Sequence, residues 1–538
     1  MTLADPARGP TLRIVCINDV YSLENLPRLR TLVRRCAEEN PADRLLVTVA
    51  GDFVAPSLLS GLDAGRGMVD CLNAAGVTHV CLGNHEDDIP TPELHQRIAE
   101  FRGTWLSTNA RGFDDKLAAA QTIEIGRVKV GLIGVVMDDP SAYRRPPFGG
   151  VPLTPPNATA QAATAALLGE GCSCVIPLTH QSVEDDRALA RAQRAPAYPV
   201  ILGGHEHTVF LEQLEGTWLV KAGADAERAV VVDLEWPAQP PASAPGSAID
   251  APSVRVRLED VARFDEAAEL RARVDRHMAP VHELERATLV SLAPGETLSS
   301  VGTRRMQTSL GALVCSRIRD ALEADGCVIN GGGIRASRVY EHHLTYADLK
   351  TELPFDNGIV VAPLPGAVLR DAIAASRARA PAESGGFLQT DDRMRVDPAT
   401  DQLLEVDGAP LDPAREYRVA LVRDLFGGMD HQEPLLRFAQ AHPEKIPLAE
   451  SSREVKSVLI HAFSVQLWEQ LGGFDAVDEN HDGVVTPEEL AAAVARATHD
   501  APSALAAGLV MRALDQNGDQ TLSREEAAAV DRESRHKR

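Results

Sequence analysis

Between Leu12 and Glu235, six short apolar runs (LRIVCI, LLVTVA, VTHVCL, VKVGLIGVV, CVIPLT and PVILGG) alternate with stretches of helical periodicity. Runs of this length, bounded by polar segments, read as strands, and strands alternating with helices predict an α/β domain. Five of the six give way directly to residues of metal-ligand type: Asp19, Asp52, Asn84 with His85, His180, and His205 with His207. In open α/β sheets, ligands bind beyond the carboxyl ends of the strands. The repeated placement therefore predicts one shared site.

Carboxylate, amide oxygen and imidazole suit a pair of adjacent cations that share one carboxylate; such a pair binds a phosphoryl group, generates a hydroxide and stabilises developing charge. The chain offers INDVY at Asp19, GDF at Asp52, GNHE at Asn84 to Glu86, THQ at His180 and GGHEH at His205 to His207. In that order and spacing, these motifs resemble the calcineurin-like metallophosphoesterase superfamily and, within it, the 5'-nucleotidase family. The resemblance implies an N-terminal α/β/β/α sandwich followed by an α/β substrate domain. It also implies a 5'-nucleotidase reaction, in which a metal-bound hydroxide releases phosphate from a nucleoside monophosphate. One ion would take Asp19, Asp52 and His207, and the other Asp52, Asn84, His180 and His205. His85 would lie over the phosphate as a catalytic residue, oriented by Asp88 three residues later.

One position departs from the family pattern. Its Asp-x-His reads Asp19-Val20-Tyr21 here, and a phenol of pKa about 10 must lose its proton to ligate well. Tyr21 is either a metal ligand, as the tyrosinate of the related purple acid phosphatases is to ferric iron, or a wall of the pocket. The two ions are correspondingly divalent or of mixed valence, with Zn, Mn and Fe as candidates.

Further along, VINGGGIRAS sets three glycines ahead of Arg335, so that the backbone can approach a ligand closely while a guanidinium reaches it. This segment resembles the family's NGGGIR, which implies a phosphate clamp at Arg335 and a nucleoside contact at Asn330. LPFDN resembles the family's LPF motif, which makes Phe355 the ring that stacks on the base. Arg305 or its neighbour Arg304 corresponds to a second phosphate-side Arg. In LVRDLFGGMD, Asp430 stands in its expected place, but the family's second stacking ring is missing and Phe426 is offered from a shifted position. A sugar phosphate is thus an alternative substrate. With metals in one domain and these groups in the other, the resemblance implies a cleft and a closing rotation.

Near the C-terminus, Asp478, Asn480, Asp482, Val484 and Glu489 meet the twelve-residue EF-hand calcium pattern, with Gly483 at the sixth position. Asp515, Asn517, Asp519, Thr521 and Glu526 repeat it, but Gln520 replaces the glycine. A left-handed backbone costs a non-glycine residue roughly 1–2 kcal/mol, so the second loop should bind Ca2+ more weakly. The expected tail is an all-α EF-hand pair, which either regulates the enzyme, with a protein partner as an option, or only stabilises the fold.

The expected division is a catalytic domain over 1–263 with an enlarged loop at 237–252, a helix over 264–286, a substrate domain over 287–461 and the EF-hand pair over 465–538. The formal charge of −23 over 538 residues argues against nucleic acid or an anionic membrane as the main partner but says little about a phosphate substrate; the small-molecule phosphate ester is what the resemblance implies. No apolar run approaches the roughly 20 residues of a membrane span. MTLADPARGP lacks the basic and apolar regions of a secretory signal, which points to the cytoplasm. Cys16, Cys81 and Cys174 fall in apolar runs and are expected as free, buried thiols. Other readings on the same scaffold are a 2',3'-cyclic phosphodiesterase and a catalytically silent, calcium-responsive binding protein.

Overall fold

A computed structural model describes residues 9–528, apart from 40, 144–145, 193–197, 239–250, 285–287, 356, 499–503 and 516–518. The chain divides into two compact units, Met1–Ala279 and Pro280–Arg538. This division falls inside the helix Ala268–Leu284, at Pro280.

The first unit is built on twelve strands: β1 (Thr11–Ile17), β2 (Arg44–Ala50), β3 (His79–Cys81), β4 (Thr104–Leu106), β5 (Gln121–Ile125), β6 (Val128–Val136), β7 (Cys174–His180), β8 (Val200–Gly204), β9 (Val209–Leu214), β10 (Thr217–Ala222), β11 (Arg228–Glu235) and β12 (Ser253–Asp260). They form two six-stranded sheets, ordered β12-β11-β1-β2-β3-β4 and β5-β6-β7-β8-β10-β9. The inner faces meet in one apolar layer that includes Leu12, Ile14 and Cys16 of β1, Val130 and Leu132 of β6, and Ile176 and Leu178 of β7. On the outer face of the second sheet, Ile133, Val135, Val175 and Ile201 pack with Ala160 and Leu167 of the helix Pro156–Gly169. Strands covered on both faces read as continuous apolar runs rather than alternating ones, which is why VKVGLIGVV coincides with β6. β11 and β12 pair antiparallel from Glu235↔Ser253, so the Pro- and Ala-rich stretch is the loop of one hairpin. Its residues 239–250 lie outside the described residues.

In the second unit, a five-stranded sheet runs in the order Leu388–Thr390, Gly326–Asn330, Glu416–Val422, Gly358–Pro365, Arg453–Glu454. The helix Ser309–Ala321 packs on it, capped by Thr308, whose hydroxyl accepts from the Gly311 N–H. The helix Val455–Gln470 packs against Ser309–Ala321 and against the tail helix Ala504–Leu514. It runs unbroken through 461–465, where the tail was expected to begin as a separate unit. The tail is not purely helical: Val484–Val485 and Leu522–Ser523 form a two-residue antiparallel ladder that joins its two acidic loops. Trp468, Phe474, Val485, Leu490, Val510, Leu514 and Leu522 fill its core. All eight cysteines are free and buried. Among the described residues, no helix is long and apolar enough to cross a membrane.

Candidate metal centre and substrate residues

In the first unit, Asp19 and Asp52 stand two residues past β1 and β2, Asn84 three past β3, His180 ends β7 and His205 follows β8. The parallel pairing of β1, β2 and β3, and of β7 with β8, brings these ends to one edge. Asp52 Oδ2 lies 3.0 Å from His180 Nε2 and 3.3 Å from the Tyr21 hydroxyl. That hydroxyl is also 3.3 Å from Asp19 Oδ1 and 3.1 Å from His207 Nε2, which itself lies 3.4 Å from Asp19 Oδ1. Tyr21 therefore presents its oxygen to the same three groups that the resemblance assigns to the first ion. On the other side of Asp52, the His180 and His205 rings meet edge to face at 5.4 Å.

The fit to cations is visible in the polar groups themselves. Asp19, Asp52 and His180 each offer a ligand atom within 4.8 Å of the others. Asn84 Nδ2 donates to Ala142 O at 3.3 Å, which turns Oδ1 the other way, and among the described residues that buried oxygen has no hydrogen-bond partner. A buried acceptor left in this state costs free energy unless something positive meets it.

The loops are held under strain. Asp19, Asp52 and His205 all adopt left-handed φ, at 52°, 53° and 87°. Such strain persists only where the surroundings over-determine it, and here they do. Glu86, the last residue of GNHE, accepts from the peptide N–H groups of Asp52, Phe53, Val54 and Gly83 at 2.9, 2.8, 3.0 and 2.5 Å. Asp225 Oδ1 accepts from the N–H groups of Tyr21 and Ser22, and Asn18 bridges Asp19 Oδ2 to Gly223 O. A Cβ on Gly51 would run into the His180 ring, and one on Gly83 into the Asp52 carboxylate, so the glycines of GDF and GNHE are dictated by how closely the ligands approach.

The electrostatics follow from buried charge. Burial alone would raise the Asp52 pKa, but His180 and His85 outweigh it and hold the carboxyl well below the usual range. Burial alone would lower His180, but Asp52 reverses this and pushes it up to about 10. Burial, then Asp52 and Asp19, drives Tyr21 well above its ordinary value. Glu86 is raised to about 7 by burial and by Asp52. Burying two carboxyl groups side by side favours a cation between them.

Beside these groups, Asp52 Oδ1 accepts from the His85 N–H at 2.9 Å, and His85 Nδ1 meets Asp88 Oδ2 at 2.7 Å. His85 and Asp88 thus form the pair that the family resemblance implies.

In the second unit, Asn330 Nδ2 donates to Asp430 Oδ2 at 2.6 Å across the glycine turn. A Cβ on Gly331 would strike Thr303 O, and one on Gly332 would stand 3.0 Å from Gly385 Cα. Close backbone packing is the reason for these glycines, since neither has a positive φ. Arg335 is exposed, and its guanidinium carbon lies 5.7 Å from the centroid of Phe355, a ring left 48% exposed. Arg305 is exposed and Arg304 half-buried. Phe426 is corrected: at 4% exposure, with Leu425 beside it in the core, its ring cannot serve as a second stacking surface.

In the tail, Gly483 N donates to Asp478 Oδ2, Asp482 N to Asn480 Oδ1 and Val484 N to Asp482 Oδ1, while Glu489 accepts from the N–H groups of Asn480 and Thr486. The second loop repeats the pattern with Gln520 N to Asp515 Oδ2, Thr521 N to Asp519 Oδ1 and Ser523 N to Glu526 Oε2. Gly483 and Gln520 take left-handed φ of 88° and 63° at equivalent positions. Asn517 lies outside the described residues.

Sequence reading missed the supporting roles of Glu86, Asp225 and Asn18. Glu86 and Asn18 had a signal, as letters of motifs already noted; Asp225 acts through contacts made more than 200 residues away, as in its bond to Tyr21.

Comparison with known proteins matches residues 12–209 to the calcineurin-like phosphoesterase model and residues 288–436 to the 5'-nucleotidase C-terminal domain. The chain is 24% identical over 447 residues to protein UshA of Escherichia coli, covering 71% of this chain and 80% of that protein. It is 25% identical over 418 residues to a 5'-nucleotidase of Vibrio vulnificus, covering 66% and 73%. The fold is like that of the Haemophilus influenzae NAD nucleotidase, with TM-score 0.62 and 16% identity over 84% of this chain and 96% of the other. It is also like that of a 5'-nucleotidase precursor from Thermus thermophilus, with TM-score 0.51 and 20% identity over 84% and 96%.

Proposed function

This chain is a metal-dependent hydrolase of the 5'-nucleotidase family, and we propose that it releases phosphate from nucleoside monophosphates. The observation that carries this reading is the exposed Phe355 ring beside the Arg335 guanidinium. A single exposed apolar side chain is ordinary; what marks this one is the guanidinium beside it and the resemblance of both segments, NGGGIR and LPF, to the family's substrate motifs. A base stacked on the ring and a phosphate on the guanidinium would use both.

Asp19, Tyr21, Asp52 and His207 would hold one cation, and Asp52, Asn84, His180 and His205 the other. Bound there, the cations supply Lewis acidity toward the phosphoryl group and activate water. The chain's own groups do the rest. Asp88 fixes the His85 ring through Nδ1, which leaves proton exchange with a departing oxygen to Nε2. Asn330, held by Asp430, offers an amide to the nucleoside.

A sugar phosphate is the second reading, favoured by the burial of Phe426, which leaves Phe355 without an opposing ring. The two acidic loops support Ca2+ binding as an EF-hand pair: both place a left-handed residue at the sixth position and both are closed by a glutamate at the twelfth.

A phosphate-release screen over nucleoside monophosphates and sugar phosphates, with metal analysis of the purified protein, tests the proposal. Turnover of nucleotides with at least two transition-metal ions per chain is expected. Release from sugar phosphates alone would replace the first reading with the second.

A further inference from the structure

Lys221 lies on β10 with no solvent exposure, in an apolar run, WLVKA, that has no other charge. Its ammonium sits behind the metal centre. Nζ donates to Gln181 O at 2.9 Å and to Gly204 O at 2.7 Å, and it pairs with Asp186 Oδ2 at 2.8 Å and with Glu206. The two carbonyls belong to the residue after His180 and the residue before His205, and Glu206 is the residue after His205. One side chain thus holds a backbone carbonyl next to each histidine and, through the Glu206 carboxylate, the residue on the far side of the second.

The grip extends outward. Glu206 Oε1 accepts from Val183 N at 2.6 Å, at the start of the helix Val183–Arg191 that follows His180. Asp186, on that helix, also accepts from Gln181 Nε2 at 3.0 Å. A Cβ on Gly203 would stand 2.7 Å from Lys221 Cε, so the first glycine of GGHEH is there to let this side chain pass. A buried ion pair is weak evidence of a stabilising role, because desolvation offsets most of its attraction. What this network does provide is a fixed spacing between two strand ends that are joined only by parallel pairing.

We propose that Lys221 is a positioning residue that sets the separation of His180 and His205, and through it the affinity of the cation those two histidines share. The inference rests on the two-cation reading above. Outer-sphere groups that orient ligands change cation affinity by roughly 10–100-fold when removed. Lys221 holds backbone on either side of the ligands rather than a ring nitrogen, so its loss should act on one ion and leave the other, held by Asp19, Tyr21 and His207, in place.

The test is to titrate cation-free full-length protein with Mn2+ by calorimetry, for wild type and for Lys221→Gln, which keeps a buried donor but drops the charge. Thermal melting of both cation-free proteins is measured alongside. Two binding events are expected in wild type. In the variant, one should be unchanged and the other weakened roughly 10–100-fold, with a similar cation-free Tm and with turnover regained at excess Mn2+. A folded variant that binds both cations as wild type does overturns the inference. So does lost turnover that follows a lowered cation-free Tm while both affinities are intact. If Lys221→Gln does not fold, Asp186→Asn takes its place, with a smaller weakening of the same single event expected and unchanged affinities overturning the proposal. Failure of wild type to bind two cations would sink the underlying reading itself, a result told apart because it appears without any substitution.

Discussion

The metal centre and the substrate residues use side chains in opposite ways. In the first unit, Asp19, Asp52, Asn84 and His180 are 2% exposed or less, and their loops carry backbone strain held by Glu86 and Asp225. In the second unit, Arg335 and Phe355 are exposed, with the guanidinium carbon 5.7 Å from the ring centroid. The difference teaches where each kind of work is done. A cation pair needs donors fixed to within a few tenths of an ångström, and this requires burial and a dense supporting network. A ring and a guanidinium that receive a whole ligand gain from remaining accessible until it arrives.

If that contrast holds, substitutions in the buried set should destroy turnover and those in the exposed set should weaken binding. Asp52→Asn is the most severe: phosphate release should fall to background and metal analysis should show fewer bound ions, since the shared carboxylate is lost. His85→Asn should lower kcat by roughly 10²–10⁴-fold with both metals retained, as removal of a general acid does; an unchanged kcat would detach His85 from the chemistry. Arg335→Ala should raise KM by roughly 10–100-fold, the worth of charge-assisted hydrogen bonds, while kcat changes little. Phe355→Ala should cost roughly 3–10-fold in KM for a nucleotide, the scale of aromatic stacking, and nothing for a sugar phosphate. Equal effects on the two substrates would remove the base-stacking role.

The contrast also has a pH signature. In cation-free protein, Asp52 keeps His180 protonated up to about pH 10, so a cation must displace that proton. Affinity for the cation that His180 would hold should therefore fall as pH drops, by about tenfold per unit for a single displaced proton. Binding of a phosphate ester at Arg335 displaces no proton from His180 and should not follow that slope.

Much of the catalytic half was legible because its signals are local. A residue of metal-ligand type at the end of an apolar run announces itself, and five such groups in order left few alternatives; Asp88, three residues from His85, came from the family resemblance. The second unit was less legible. Phe426 sits one turn of chain from Asp430 and looked available, yet its ring is buried, because whether a ring faces solvent depends on which layer covers it. The border expected at 461–465 was read from a change in pattern, but one helix crosses it, since its early residues Val458 and Leu459 and its late Trp468 are all buried.

What the amino-acid order determined by itself is the list of donors, the strand ends that carry them and the calcium-type spacing of the tail, because each depends on neighbours a few residues apart. Only the tertiary structure decided that the Tyr21 oxygen faces Asp19, Asp52 and His207, that Glu86 holds the Asp52 turn, and that Lys221 ties His180 to His205. Those relations join residues tens to hundreds of positions apart, through packing that no local period encodes.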